Sequence, residues 1–204
     1  MRQLVMESAA RVDWDKVNNE LADRSKRYID ELPIRRMPTA QQTEVVWIDP
    51  SITLESEIQA PVKQPDGSWK WQVLYPKGHK YNPLDDSRPL TAMLFIDSSD
   101  EDQLRLAKEM LVVEPMRIQV VEAGQGSVRK GTEAIGRPLF YANDQLLNRF
   151  QVTRLPSMLF ANERMNRGRL GLLSFAKPFD IQAARIWDGI APALAKNTNE
   201  KTAK

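Results

Sequence analysis

The chain contains no cysteine and a single histidine, His79, among its 204 residues. The absence of cysteine excludes disulfide bonds, thiolate zinc sites and cysteine nucleophiles. One histidine leaves too few nitrogen ligands for a typical zinc centre, so a turn residue is the simpler role for His79. The formal net charge is only +2, so the chain as a whole lacks the basic surplus that is typical of nucleic-acid-binding proteins. Composition therefore gives no support for thiol chemistry, for zinc binding or for nucleic-acid binding.

Long apolar runs are missing as well. No stretch reaches the roughly 20 apolar residues that a membrane-spanning helix needs. The first residues, Met1–Met6, lack the apolar stretch of a signal peptide. Taken alone, this start is expected of a cytoplasmic protein, or of a mature or trimmed chain whose signal is missing.

Motifs of catalytic sites are also absent. Gly124, Gly126 and Gly131 do not form the GxxxxGK[ST] phosphate loop, and there is no Gly-x-Ser-x-Gly elbow. The acidic group between Asp97 and Asp102 could bind a hard cation through oxygen ligands, but helix capping explains it fully. The basic cluster between Arg164 and Arg169 could touch phosphates or an acidic partner, although such clusters are more often solvated hairpin tips. We predict no catalytic residue, no cofactor and no metal site.

The first 32 residues form the N-terminal helical segment, in which an amphipathic helix is predicted over residues Val12–Leu32. Its apolar positions recur at spacings of three, four and seven, which places them on one face. Pro33 ends the helix, because the residue before a proline is pushed out of helical conformation. Two roles are open for this helix, docking on the chain's own domain or binding a partner. The residues of the apolar face are Trp14, Val17, Leu21 and Tyr28.

Prolines recur through residues 33–90, which argues against long helices and central strands there. Short strands are predicted at Val45–Ile48 and at Trp69–Tyr75, the second after a Pro-Asp-Gly-Ser turn. Three of the five tryptophans lie in this connector, and a disordered linker would rarely carry so many aromatic residues. We expect an ordered, extended layer on the C-terminal domain or on a neighbouring protein. The tryptophans Trp47, Trp69 and Trp71 join the four helix residues as candidate partner-binding positions.

Residues 91–195 have the pattern of an α/β domain. The predicted strands are Met93–Asp97, Met116–Val121, Leu139–Ala142, Ser157–Ala161 and Arg169–Phe175, the last two paired as a hairpin. Helices are predicted from the Ser98–Asp102 cap to about Leu111, before Phe150 and over Asp180–Ala195, and the basic loop Gly124–Pro138 has room for one short helical turn. Residues 196–204 are predicted to be a disordered tail. Strand, helix, strand, helix, a Leu155-Pro156 step and a strand is the order of a thioredoxin-like domain, here without cysteines.

Short motifs in a fixed order carry a resemblance that covers most of the chain. The sharpest are Asp49-Pro50-Ser51 and the Gly78–Leu84 step, which ends in Asn-Pro-Leu. The others are Arg11–Trp14, Trp47–Thr53, Leu74–Gly78, Met93–Asp97, Asp102–Leu104 and Phe150–Pro156. In this order they are similar to the TraW family of F-type conjugative transfer systems.

The resemblance implies a non-enzymatic, periplasmic component that is needed for pilus assembly and DNA transfer by a type IV secretion system, acting through protein–protein contacts. It implies other conjugative transfer proteins as partners, a TrbC-like protein among them, with no direct contact to nucleic acid and with room for an oligomeric assembly. The family is normally exported, so we expect a mature or trimmed chain. Pro156 stands where thioredoxin-like folds carry a cis proline. The alternative function is a thioredoxin-like chaperone, or a peptide- or ligand-binding module that uses the groove beside Pro156.

Overall fold

The structure, a computed structural model, describes residues 12–30, 32–87, 89–162, 164, 165, 168–192 and 194. The predicted tail at 196–204 lies outside the described residues, as do residues 1–11 of the N-terminal segment and Arg167 of the basic cluster. The described chain is a mixed α/β fold built around a central mixed sheet. None of its described helices combines the length and apolarity that crossing a bilayer requires.

The described helices are α1 (Trp14–Asp30), α2 (Pro83–Asp86), α3 (Glu101–Val113), α4 (Val128–Ile135) and α5 (Asp144–Arg149), with a 3₁₀ helix at Ile181–Ile186. The strands are β1 (Glu44–Ile48), β2 (Ile52–Thr53), β3 (Ile58–Lys63), β4 (Trp69–Tyr75), β5 (Lys80–Tyr81), β6 (Ala92–Ile96), β7 (Ile118–Glu122), β8 (Phe140–Tyr141), β9 (Ser157–Ala161) and β10 (Leu170–Ser174).

The central sheet has six strands in the order β1-β10-β9-β6-β7-β8. Strands β6, β7 and β8 are parallel, while β9 runs antiparallel to β6. Strands β9 and β10 form the predicted antiparallel hairpin. Alternate residues of β6 enter two apolar cores: Leu94 and Ile96 pack with α3 on one face, and Phe95 packs with α5 on the other. A strand covered on both faces needs a continuous apolar sequence, which is what β6 has.

Strand β1 comes from the predicted connector. It pairs antiparallel with β10, so the central sheet takes one strand from outside residues 91–195. Trp47 is half-buried and packs edge-on against Phe160, with ring centroids 6.0 Å apart. Gly171 lies between the two residues in the strand register. A Cβ at this glycine would lie 2.5 Å from the Phe160 ring, so only glycine leaves room for the aromatic pair.

The end of the domain differs from the prediction of one helix over Asp180–Ala195. Asp180 caps a 3₁₀ helix that stops at Ile186, and Trp187 follows in an extended conformation with ψ of 118°. The Trp187 side chain is buried in the core. A side chain at Gly189 would overlap this indole, so the backbone turns there before the next helical turn. A second difference is α4, which has eight residues between its Ser127 cap and Gly136 and so exceeds one short helical turn.

Candidate functional site

The residues with catalytic or metal-binding potential have structural roles. In the described part of the chain, no group of three or more histidine and acidic side chains could hold a metal ion. His79 lies in the turn after β4, where its backbone N–H donates to Pro76 O. The centroid of its ring lies 4.9 Å from that of the Tyr75 ring. Asp100 caps α3. A hydrogen bond from Lys177 lowers the pKa of Asp102.

Residues 33–40, which we call the strap, run from the loop after β7 to the loop before β9. The backbone N–H of Arg35 donates to Gly124 O at 2.9 Å. Further along, Pro38 O accepts the N–H of Leu155 at 3.0 Å, and Ala40 forms a bridge with Ala176. Between Ile34 and Thr39 exposed and half-buried residues alternate, as in an extended chain with one face on the protein.

The Arg35 side chain anchors the strap. Its Nε lies 2.7 Å from Asp144 Oδ1, and one of its terminal nitrogens donates to Ala142 O at 2.9 Å. The guanidinium group also lies over the Tyr141 ring, 5.2 Å from its centroid. The Tyr141 hydroxyl in turn donates to Pro33 O. These contacts hold the start of the strap against β8 and α5.

The loop at Pro156 is already occupied by the strap. The Leu155–Pro156 peptide bond is cis, and both residues are buried. An extended peptide in a groove is held chiefly by backbone hydrogen bonds. Here the backbone N–H of Leu155 is bonded to Pro38 of the same chain. A peptide that bound beside Pro156 would therefore have to displace the strap.

Strands β3 and β4 form a two-stranded ribbon, here called the tryptophan hairpin. Every residue of β4 is exposed, including Trp69 at 67% and Trp71 at 65%. Since side chains alternate along a strand, these two indoles and Val73 share one face. Pro61 lies opposite Trp71 in the register and extends this face onto β3. The result is a contiguous apolar surface outside the core.

The tip of the tryptophan hairpin is the predicted Pro65–Ser68 turn. Asp66 Oδ1 accepts the Ser68 backbone N–H at 2.9 Å and also its hydroxyl. These hydrogen bonds lower the pKa of Asp66. Gly67 has a φ of +85°, a conformation that glycine adopts without strain. The turn therefore fixes the backbone of the two strands, so both indoles project from one face of the ribbon before any partner binds.

Helix α1 is the second exposed apolar surface. Trp14, Leu21 and Tyr28 are each more than half exposed, while Val17 is half-buried. The helix contacts α4. The predicted partner-binding residues thus divide into two groups. Those on α1 and on the tryptophan hairpin are at least partly exposed, whereas Trp47 packs against Phe160 in the chain's own core.

A polar recess of about 450 Å³ brings together the two sharpest motifs of the sequence. Asp49 Oδ2 lies 3.0 Å from Lys80 Nζ, and Asp49 Oδ1 accepts the Ser51 N–H. Hydrogen bonds from Ser51 and Lys80 hold the pKa of Asp49 well below its usual range. Asn82 caps α2 and donates to Gly168 O at 2.8 Å. These contacts join Asp49 to β5 and Asn82 to the loop before β10, so these motif residues have structural roles.

Comparison of the sequence with protein-family models gives no match, and comparison with curated proteins gives no significant match. The proposed function therefore rests on the geometry of the chain's own residues and on the resemblance of its sequence motifs.

Glu122 is a residue that sequence reasoning missed. Its side chain is buried at the end of β7. Its carboxylate accepts the N–H of Ser98 at 2.9 Å and that of Gly124 at 2.7 Å, which joins the loops after β6 and β7. A Cβ at Gly126 would lie 2.5 Å from this carboxylate. The signal in the sequence was an acidic residue that ends an apolar strand just before a glycine-containing loop.

Proposed function

We propose that this chain is a non-enzymatic assembly component of an F-type conjugative type IV secretion system, similar to the TraW family. In this proposal it acts in the periplasm, is needed for pilus assembly and DNA transfer, and works through protein–protein contacts. The observation that supports the contact role in this proposal is the tryptophan hairpin, which presents Trp69 and Trp71 outside the core on the strand that follows a preformed turn.

The energetics of binding support a contact role for this surface. Tryptophan is among the residues that most often dominate binding energy at interfaces. A backbone that already has its bound conformation loses less entropy on binding, and the Pro65–Ser68 turn fixes the strands that carry both indoles. The partner would be another conjugative transfer protein, with a TrbC-like protein as the first candidate.

The strand order supports a thioredoxin-like core as part of this proposal. Strands β10, β9, β6 and β7 are adjacent in that order, with β6 and β7 parallel and β9 and β10 forming an antiparallel hairpin. Helices α3 and α5 pack on opposite faces of this sheet. With no cysteine in the chain, such a core would serve as a scaffold rather than as a redox centre.

The strap weighs against the alternative function. A chaperone or ligand-binding module that used the groove beside Pro156 would need free backbone donors there. Pro38 already accepts the hydrogen bond from Leu155, and the Arg35 contacts hold the strap in place. The exposed apolar surface lies on the tryptophan hairpin instead.

Co-purification with the other transfer proteins tests the proposal. We expect the double variant Trp69→Ser/Trp71→Ser to weaken capture, by about 30-fold for each indole that supplies roughly 2 kcal/mol. The matched control is Lys70→Ser/Gln72→Ser, which changes exposed residues on the other face of the same strand. Pilus number and DNA transfer frequency should fall with the first variant and not with the control. Unchanged capture, or equal loss in both variants, would contradict a binding role for the indoles.

A further inference from the structure

The large apolar residues that are exposed on α1 recur every seven positions. Trp14, Leu21 and Tyr28 are spaced seven apart, and the half-buried Val17 lies between the first two. Residues seven apart occupy nearly the same angular position on a helix, so they form a seam along one side. With 17 residues, α1 is about 25 Å long, which is enough for a short helix-to-helix contact.

Charge along α1 is divided between its two halves. The first half, residues 14–20, has two acidic residues and one lysine: Asp15, Glu20 and Lys16. Among the described side chains of the second half there are two basic residues and one aspartate: Arg24, Lys26 and Asp23. A second α1 running in the opposite direction would place each acidic half beside a basic half. A parallel copy would place like charges beside each other.

We propose that α1 is a self-association surface, which binds the α1 helix of a second copy of this chain in antiparallel orientation. The two-fold axis passes near Leu21, the midpoint of the seam. Leu21 then faces its own equivalent, and Trp14 of one copy approaches Tyr28 of the other. Such an interface is isologous and closes on itself, so it gives a dimer and not a filament.

This contact joins two copies of the chain and needs no transfer protein. It therefore does not depend on the proposed function or on the tryptophan hairpin. The seam is short and only one side of α1 takes part, so the buried area is at the low end for specific interfaces. We expect a weak dimer that forms as the protein concentration rises.

Sedimentation equilibrium of the full chain tests the association. We expect a dissociation constant between about 1 μM and 1 mM, which is typical of small interfaces, so the dimer should appear as the protein concentration rises through this range. Leu21→Asp should weaken the dimer at least tenfold, because it places two carboxylates at the two-fold axis. Asn19→Asp, on the opposite and exposed side of α1, is the matched control and should leave the dimer unchanged. Circular dichroism checks that α1 stays helical in both variants.

A wild-type chain that stays monomeric throughout this range would overturn the proposal. So would a dimer that survives Leu21→Asp, or one that is lost in the Trp69→Ser/Trp71→Ser variant while α1 is intact.

The orientation can be tested by cross-linking, because the chain has no cysteine of its own. Leu21 and Trp14 are seven residues apart on the seam, and both are exposed. In the antiparallel dimer Leu21 faces its own equivalent, whereas the two Trp14 residues lie at opposite ends of the seam. Under mild oxidation, the variant Leu21→Cys should form a disulfide-linked dimer and Trp14→Cys should not. Equal cross-linking of both variants, or of neither, would overturn the antiparallel arrangement.

Discussion

The packing of Trp47 against Phe160 leads to a quantitative prediction. If β1 is part of the central sheet, changing Trp47→Ala removes a ring from the chain's own core and should destabilise the whole domain. If Trp47 instead served only to bind a partner, the same change would leave the free energy of unfolding unchanged. The matched control is Trp69→Ala, since Trp69 is exposed on the tryptophan hairpin.

The expected loss follows from burial and ring geometry. A tryptophan side chain buries roughly 150–250 Å² in a core, and Trp47 is half-buried. At roughly 25 cal/mol per Å², the buried part, about two thirds of that area, contributes about 2.5–4 kcal/mol. The edge-on contact with Phe160, at 6.0 Å between ring centroids, adds about 0.5–1.5 kcal/mol. We therefore expect Trp47→Ala to lower the free energy of unfolding by about 4 kcal/mol, and Trp69→Ala by less than about 0.5 kcal/mol.

Urea unfolding followed by circular dichroism measures both values. The midpoint should fall for Trp47→Ala with the slope unchanged, because stability changes while the surface exposed on unfolding does not. Gly171→Ala is an independent check, since the added Cβ would press on Phe160 and should destabilise by about 1–3 kcal/mol. Equal midpoints for Trp47→Ala and Trp69→Ala would refute the placement of β1 in the sheet.

Two further predictions concern pH and proteolysis. The hydrogen bond from Arg117 lowers the pKa of Glu114, so this carboxylate stabilises the fold above its unfolded pKa and the contribution is lost as pH falls through the folded value. Glu114→Gln should therefore flatten the fall in melting temperature between about pH 5 and pH 3, and an unchanged pH profile would contradict the effect of this ion pair. Limited trypsin digestion should cut first after Lys63 or Lys70 in the tryptophan hairpin and later after Arg36 in the strap, as identified by mass spectrometry. The reverse order would show that the strap is not held on the domain.

Local patterns in the sequence predicted much of the α/β architecture. The apolar run of β6 and the paired strands β9 and β10 were predictable because their periods and turns are set by neighbouring residues. The Pro65–Ser68 turn was predictable for the same reason. The expectation of a family, a partner and a compartment rests on resemblance and stays a prediction.

Long-range contacts could not be predicted in this way. Trp47 and Trp69 lie in similar Pro-rich surroundings, yet only Trp47 packs on a strand more than 100 residues away. The hydrogen bond between Leu155 and Pro38 uses only backbone atoms, so it cannot be predicted from a pattern of side chains. The end of the last helix depends on where the Trp187 indole is buried. In each case the deciding partner is distant in sequence.

The strap also acts as a ligand that can never diffuse away. Because it belongs to the same chain, it meets the Pro156 loop at an effective concentration that is typically millimolar for short tethers. A free peptide with the same intrinsic affinity as the strap would have to exceed that concentration to take its place beside Leu155. The groove is thus closed by mass action rather than by its shape, and a partner that released Arg35 from Asp144 would lower the effective concentration that keeps it closed.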